Sequence, residues 1–125
     1  LAQIRERADR MRHPTQVLVG VNDMARLMTD SDLAIGAAGG TSWERCCLGV
    51  PSLVLALADN QRGVAATLQD AGGAIAMQSA AEVATFLQDH LDAGTLPDTL
   101  RRLSAAASRI TDGEGVSRVV RRMVP

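Results

Sequence analysis

The sequence predicts an α/β domain, a parallel Rossmann-like sheet with helices on both sides in a three-layer αβα arrangement. Three observations carry this expectation. Short apolar runs alternate with stretches of helical periodicity from residue 15 to residue 77, the pattern of successive strand–helix–strand units. The run Ser52-Leu-Val-Leu-Ala-Leu57 is apolar at consecutive positions, as a strand covered on both faces has to be. The run Leu33-Ala34-Ile35 breaks on Gly36, passes through Ala37-Ala38-Gly39-Gly40, and meets a helix start at Thr41-Ser42 with Glu44 in the first turn.

Taken in order, Leu1, Ile4, Ala8 and Met11 fall at helical spacing, with Arg5, Glu6, Asp9, Arg10 and Arg12 on the remaining, solvated face. His13-Pro14 ends this helix, because the residue before proline is pushed out of the α region. Thr15-Gln-Val-Leu-Val-Gly20 reads as a buried strand closed by glycine. Asn22 is expected to cap a helix running to Asp30, with Met24, Leu27 and Met28 turned inward. The glycine-loop strand and its helix follow, and Leu48-Gly49 with Pro51 just beyond forms a helix stop. After the strand at residues 52–57 comes a helix over about 61–71 that ends at Gly72-Gly73, then a strand at Ala74-Ile-Ala-Met77. From Ser79 only helices are expected. One groups Val83, Phe86, Leu87 and Leu91 and stops at Gly94, the next aligns Leu100, Leu103, Ala107 and Ile110, and the last carries Val116, Val119, Val120 and Met123.

Composition narrows the function. The chain has 125 residues, 46% of them apolar, enough for one domain with an ordinary core rather than a disordered segment. No apolar run approaches the roughly 18 residues of a membrane span, and no signal-peptide pattern opens the sequence. A net charge of −1 with no Tyr, one Phe and one Trp offers no basic aromatic surface for nucleic acid. The adjacent Cys46 and Cys47 suit neither a metal site nor a routine disulfide and read as small buried hydrophobes. No metal ligand set and no cofactor motif is expected, and the default location is the cytoplasm.

In open parallel sheets, ligands bind outside the carboxyl ends of the strands. Four polar clusters fall there: Gly20 to Asp23, Gly36 to Glu44, Asp59-Asn60-Gln61, and Gln78-Ser79. A glycine loop running into a helix start presents unpaired N–H groups to an anion. Thr41-x-x-Glu44 is also the pattern of a capping box, in which Glu44 serves only its own helix. Capping does not account for Asp59-Asn60-Gln61 after a fully apolar strand, so the four clusters together favour a nucleotide or sugar-phosphate site.

These residues also carry a resemblance. Asn22-Asp23-Met24, Ala-Ile-Gly-Ala-Ala-Gly-Gly-Thr-Ser-Trp-Glu, Leu-Gly-Val-Pro-Ser and Leu-Ala-Asp-Asn-Gln resemble the C-terminal lobe of GT-B-type nucleotide-sugar enzymes. Within that group the chain is most similar to the UDP-sugar hydrolases of pseudaminic acid biosynthesis, with the peptidoglycan N-acetylglucosaminyl transferase more distant. The resemblance covers residues 15–75 well and the flanking helices loosely. It implies that Glu44 accepts hydrogen bonds from the two ribose hydroxyls of UDP. It also implies that Gly39, Gly40, Thr41 and Ser42 hold the diphosphate, that the Val21 backbone reads the uracil edge with Met24 against the ring, and that Asn60 and Gln61 face the sugar.

The resemblance further implies a second lobe bearing a histidine base, and two strands ahead of Leu1. On that expectation the chain is about the last two-fifths of an enzyme releasing UDP from a diacetamido-trideoxy sugar. No residue here is assigned as catalytic: His13 and His90 fall at the wrong places and no carboxylates pair. A transferase lobe and a non-catalytic nucleotide-binding module are the alternatives. The absent strands would lie between Thr15–Gly20 and Leu33–Gly36, leaving open edges, so self-association is expected.

Overall fold

The computed structural model describes residues 1–124, in which helices surround a three-stranded parallel sheet of order β1-β2-β3. Strand β1 is Ala34–Ala37, β2 is Ser52–Leu55 and β3 is Ala74–Met77, preceded by helices α1 (Ala2–Asp9) and α2 (Met24–Thr29). Helix α3 (Thr41–Cys47) links β1 to β2, and a 3₁₀ turn (Asp59–Gln61) with α4 (Arg62–Asp70) links β2 to β3. Helices α5 (Ala80–Ala93), α6 (Leu96–Ala107) and α7 (Gly115–Met123) complete the chain. The ladders pair Ile35 with Leu53 and Leu53 with Ile75.

Alternation along the strands divides the core in two. On one face Ala38, Cys46, Val54, Ala65, Leu68, Ala74 and Ala107 form a buried cluster contributed by α3, α4 and α6. On the other, Leu53, Met77 and Val83 are buried with Phe86 and Leu87 of α5 packed against them. Leu53 and Val54 are fully enclosed, as the apolar run around them requires. The result is a three-layer, Rossmann-like α/β fold.

Three helix ends follow the glycines. Gly49, Gly72 and Gly94 take φ of +67°, +79° and +67°, values at which a Cβ is strained. Gly73 is needed for space instead: a Cβ there would lie 3.1 Å from the Ala107 Cα and would collide with the Ile110 side chain. It is the point where α6 closes on β3.

Several expectations are corrected. Residues 15–20 do not form a strand. A strand needs a neighbour to satisfy its backbone, and β1 pairs only with β2, so Leu18 and Val19 are left exposed. The next helix is shorter than expected and is capped by Asp23, not Asn22, whose carboxylate accepts from the Arg26 N–H at 3.0 Å. Met24 and Leu27 are exposed rather than turned inward. The β2 strand stops at Leu55, and Leu57 is exposed. Leu91 does not share the buried face of α5 and is 61% exposed. Helix α7 has a strongly apolar stripe, yet Val116, Val119, Val120 and Met123 all face solvent. Its start is tied by an ion pair between Asp112 and Arg118, which holds the Asp112 carboxyl down at about 2.

Gly73→Ala is expected to destabilise the fold by about 1–3 kcal/mol, the range for overpacking a filled interior. Thermal melting checks this, with Gly115→Ala as control, since nothing lies within 4 Å of a Cβ there.

Candidate functional site

The site is built where β1 and β2 end. After Ala37 the chain leaves the sheet, and Ala38 makes a last ladder bond, its N–H donating to the Leu55 carbonyl at 2.9 Å. Gly39 and Gly40 then turn the chain into α3. The first helical N–H groups with partners are those of Ser42 and Trp43, which donate to the carbonyls of Gly39 and Gly40 at 3.0 and 3.1 Å. Among the described residues, the N–H groups of Gly39, Gly40 and Thr41 meet no acceptor.

None of the loop glycines has a positive φ, so their role is space. At Gly36 a Cβ would come within 2.8 Å of the Arg45 guanidinium. At Gly39 it would meet the Gln61 amide nitrogen at 3.6 Å, and at Gly40 nothing lies within 4 Å. The backbone at Gly40 can therefore be approached closely from outside.

The capping-box alternative does not hold. Gly40 is the N-cap of α3, no side chain caps it, and Thr41 lies inside the first turn. Both Thr41 and Glu44 are exposed, and among the described residues the Glu44 carboxylate has no hydrogen bond or ion pair. Ser42 differs from its neighbours. It is buried, and its hydroxyl turns inward to the Ala37 carbonyl at 3.5 Å.

The β2–α4 turn comes to the same edge. Gln61 uses its carbonyl oxygen to accept from the Leu57 N–H at 2.9 Å, which pins the side chain and leaves its amide nitrogen toward Gly39. Asn60 beside it is exposed. Val21 and Met24 are not joined to this edge: α1 and α2 bury no residue, and the hydrogen bonds of residues 1–31 are all local. Met24 is exposed and Val21 is half-buried.

One residue at this edge was not singled out by sequence. Arg45 sits on α3 at 8% exposure, and both terminal nitrogens of its guanidinium donate to the Ala37 carbonyl at 3.4 Å. Burial lowers its pKa, against weaker opposing pulls from Cys46 and Glu44. The available signal was an arginine placed among Cys46, Cys47 and Leu48 on the inner half of a short helix.

A cleft of about 810 Å³ lies elsewhere, at the amino ends of β1 and β2, between the ends of α2 and α3 and the α5–α6 hairpin. Leu48, Pro51, Leu91, Leu96, Pro97 and Leu100 form its apolar wall, with Thr29, Ser31, Arg101, Ser104 and Ser108 also at its lining. A more polar hollow of about 540 Å³, lined by Arg62, Gln69 and Gln78 among others, lies along α4 and the end of β3. Among the described residues no three His, Cys, Asp or Glu side chains group to hold a metal ion, and no helix is long and apolar enough to cross a membrane.

The fold and this edge define a Rossmann-like α/β unit whose glycine loop and amide-bearing turn meet at the carboxyl ends of adjacent parallel strands. No family model matches the chain. Over 54 residues it is 46% identical to the spore coat polysaccharide biosynthesis protein SpsG of Bacillus subtilis. The matched stretch is 43% of this chain and 16% of that protein.

Because neither Thr41 nor Glu44 caps the helix, Thr41→Ala and Glu44→Ala are expected to shift stability by no more than about 0.5 kcal/mol. A working capping box would cost about 1 kcal/mol per member. Urea unfolding of the two variants decides it.

Proposed function

We propose that this chain is the UDP-binding part of an enzyme that acts on nucleotide sugars, and that the enzyme is a hydrolase releasing UDP from a diacetamido-trideoxy hexose. The observation that carries the reading is the approach of the Gln61 amide to Gly39, the first residue of a loop whose N–H groups at Gly39, Gly40 and Thr41 have no partner among the described residues. The loop donors would take the diphosphate, which needs several N–H groups and no carbonyl in reach. Glu44, exposed and unpartnered among the described residues, is free to accept from a vicinal diol such as the ribose hydroxyls. Asn60 and Gln61 would face the polar sugar. Thr41 would add its hydroxyl to the phosphate shell, and Ser42 would contribute through its backbone, since its hydroxyl is turned inward. Val21 and Met24 are assigned to uracil by the sequence resemblance alone, and would have to fold over the edge when the nucleotide binds.

The similarity to SpsG, a protein named for polysaccharide biosynthesis, supports a sugar-handling role. That name covers transfer of a sugar as readily as hydrolysis, so a UDP-sugar glycosyltransferase is the second reading. In either case the leaving group is UDP, and donors fixed before the reaction would stabilise its charge as it departs. The base that activates water would come from outside this chain, in a longer protein of which this lobe is one part, acting in the cytoplasm.

The chain is expected to bind UDP in preference to ADP, and Glu44→Ala to weaken UDP binding by about 1.5–3 kcal/mol, the range for hydrogen bonds to a charged group. That is on the order of tenfold to a hundredfold in Kd. Titration calorimetry measures it, and unchanged affinity in the variant removes Glu44 from the site.

The chain alone is expected not to hydrolyse UDP-sugars, because positioning and proton transfer need groups it lacks. UDP release above background that persists in Thr41 and Glu44 variants would show instead that the chemistry resides here.

A further inference from the structure

We propose that α7 is an assembly arm: two copies of this chain associate by exchange, the apolar stripe of each α7 lying in the cleft between α3 and the α5–α6 hairpin of the other copy. The contact is at the opposite end of the sheet from the glycine loop and is independent of the nucleotide reading.

The first observation is a helix with nothing to pack on. Val116, Val119, Val120 and Met123 recur at the spacing of one helical face, and each is more than half exposed. A stripe this regular is ordinarily the covered side of a helix. The charges of α7 are all positive: Arg118, Arg121 and Arg122, with no acid between Gly115 and Met123.

The second observation is the chemistry of the cleft. Leu48, Leu91 and Leu100 give it an apolar wall, and Leu91 and Leu48 are exposed there. The four hydroxyls at its lining are spent on backbone. Those of Thr29, Ser31, Ser104 and Ser108 donate to the carbonyls of Ala25, Leu27, Gly49 and Ala105 at 2.8, 2.7, 2.6 and 2.8 Å. The Arg101 guanidinium is held by Asp98 at 2.5 Å, which balances its charge. Asp32, also at the lining, is exposed and has no ion pair among the described residues. The cleft therefore offers apolar surface and a carboxylate. That suits an apolar stripe flanked by arginines and does not suit a phosphate or a sugar.

The third observation selects a second copy as the occupant. The arm begins beside the cleft: a Cβ at Gly113 would stand 2.9 Å from the Cys47 Sγ, and Cys47 precedes Leu48 of the cleft wall. The turn into α7 is tied by the Asp112–Arg118 ion pair and by the Glu114 N–H, which donates to the Asp112 carboxylate at 3.0 Å. So placed, no residue of α7 lines the cleft of its own chain. Because arm and cleft lie side by side, a two-fold axis brings each arm to the other copy's cleft. The exchange then closes as a dimer rather than growing head to tail.

The test is the oligomeric state of the whole chain, followed by sedimentation velocity over a concentration series. Wild type is compared with Val120→Glu in the arm, Leu91→Glu in the cleft, and an equimolar mixture of those two variants. Ile4→Glu is the control, on another exposed apolar helix face. The expected result is a monomer–dimer equilibrium for wild type and Ile4→Glu. Each of the other variants alone raises the dimer Kd about tenfold or more, the effect of losing a buried interface anchor. The mixture regains a heterodimer, weaker than the wild-type dimer, because one variant supplies an intact arm and the other an intact cleft. Val120 and Leu91 are exposed, so melting of the dilute monomers is unchanged, and Leu48→Gln replaces Leu91→Glu if that variant fails to fold. A wild type that stays monomeric at high micromolar concentration overturns the proposal. So does a dimer that survives both cleft variants, which marks pairing of two α7 stripes or of two β1 edges. Co-sedimentation of a monomeric chain with phosphatidylserine vesicles, abolished by Val120→Glu alone, assigns the stripe to lipid and overturns it as well. UDP titration of the same variants keeps the two readings apart, since neither residue lies at the glycine loop.

Discussion

Strand β2 is the constraint on which the structure rests. It alone has neighbours on both edges, and its adjacent residues Leu53 and Val54 are enclosed on opposite faces, one in each half of the core. A segment with no solvated face and no solvated edge can only be placed in the middle of a sheet. Its two neighbours then have to run parallel to it, because each is reached through a crossover helix. The glycine loop and the Asp59–Gln61 turn emerge at the same end for that reason alone: they follow β1 and β2 directly. Burial of about two leucines' worth of side chain thus sets the position of every polar group in the candidate site.

What could be read from sequence follows the same logic. The residue pattern disclosed β2, β3 and helices α3 to α6, where a periodic apolar stripe meets a surface that needs it, and Gly49, Gly72 and Gly94 marked where helices end. It misled over residues 15–20 and over α7. Thr15–Gly20 is apolar enough for a strand, and Val116, Val119, Val120 and Met123 align on one helical face. Periodicity says which face would be buried, but not whether anything stands opposite to cover it. Here nothing within the described residues does.

At the site, the rule that ligands sit beyond strand carboxyl ends foretold that Gly39 and Gln61 share an edge. The rest was hidden by local signals with two meanings. Thr41 and Glu44 fit a capping pattern that the backbone does not use, since the turn into α3 is made by Gly40. Ser42 and Thr41 look equivalent in sequence, yet one is enclosed and the other open. Arg45 was not singled out by its sequence context, and only the third dimension shows its guanidinium seated where a Cβ at Gly36 would stand.

The consecutive strand order has a kinetic consequence. Ala34 aligns with Ser52 and Ser52 with Ala74, so each ladder closes a loop of about twenty residues, an entropy cost that rises only slowly with length. Neither closure waits on residues 1–31 or on α7, which bury nothing. Contacts between near neighbours in sequence favour rapid folding. The nucleus is therefore expected in the β1–α3–β2–α4–β3 stretch, with the two apolar termini still unsatisfied once it has formed. Such a chain commits to its sheet early, with the apolar surfaces of its two ends still uncovered.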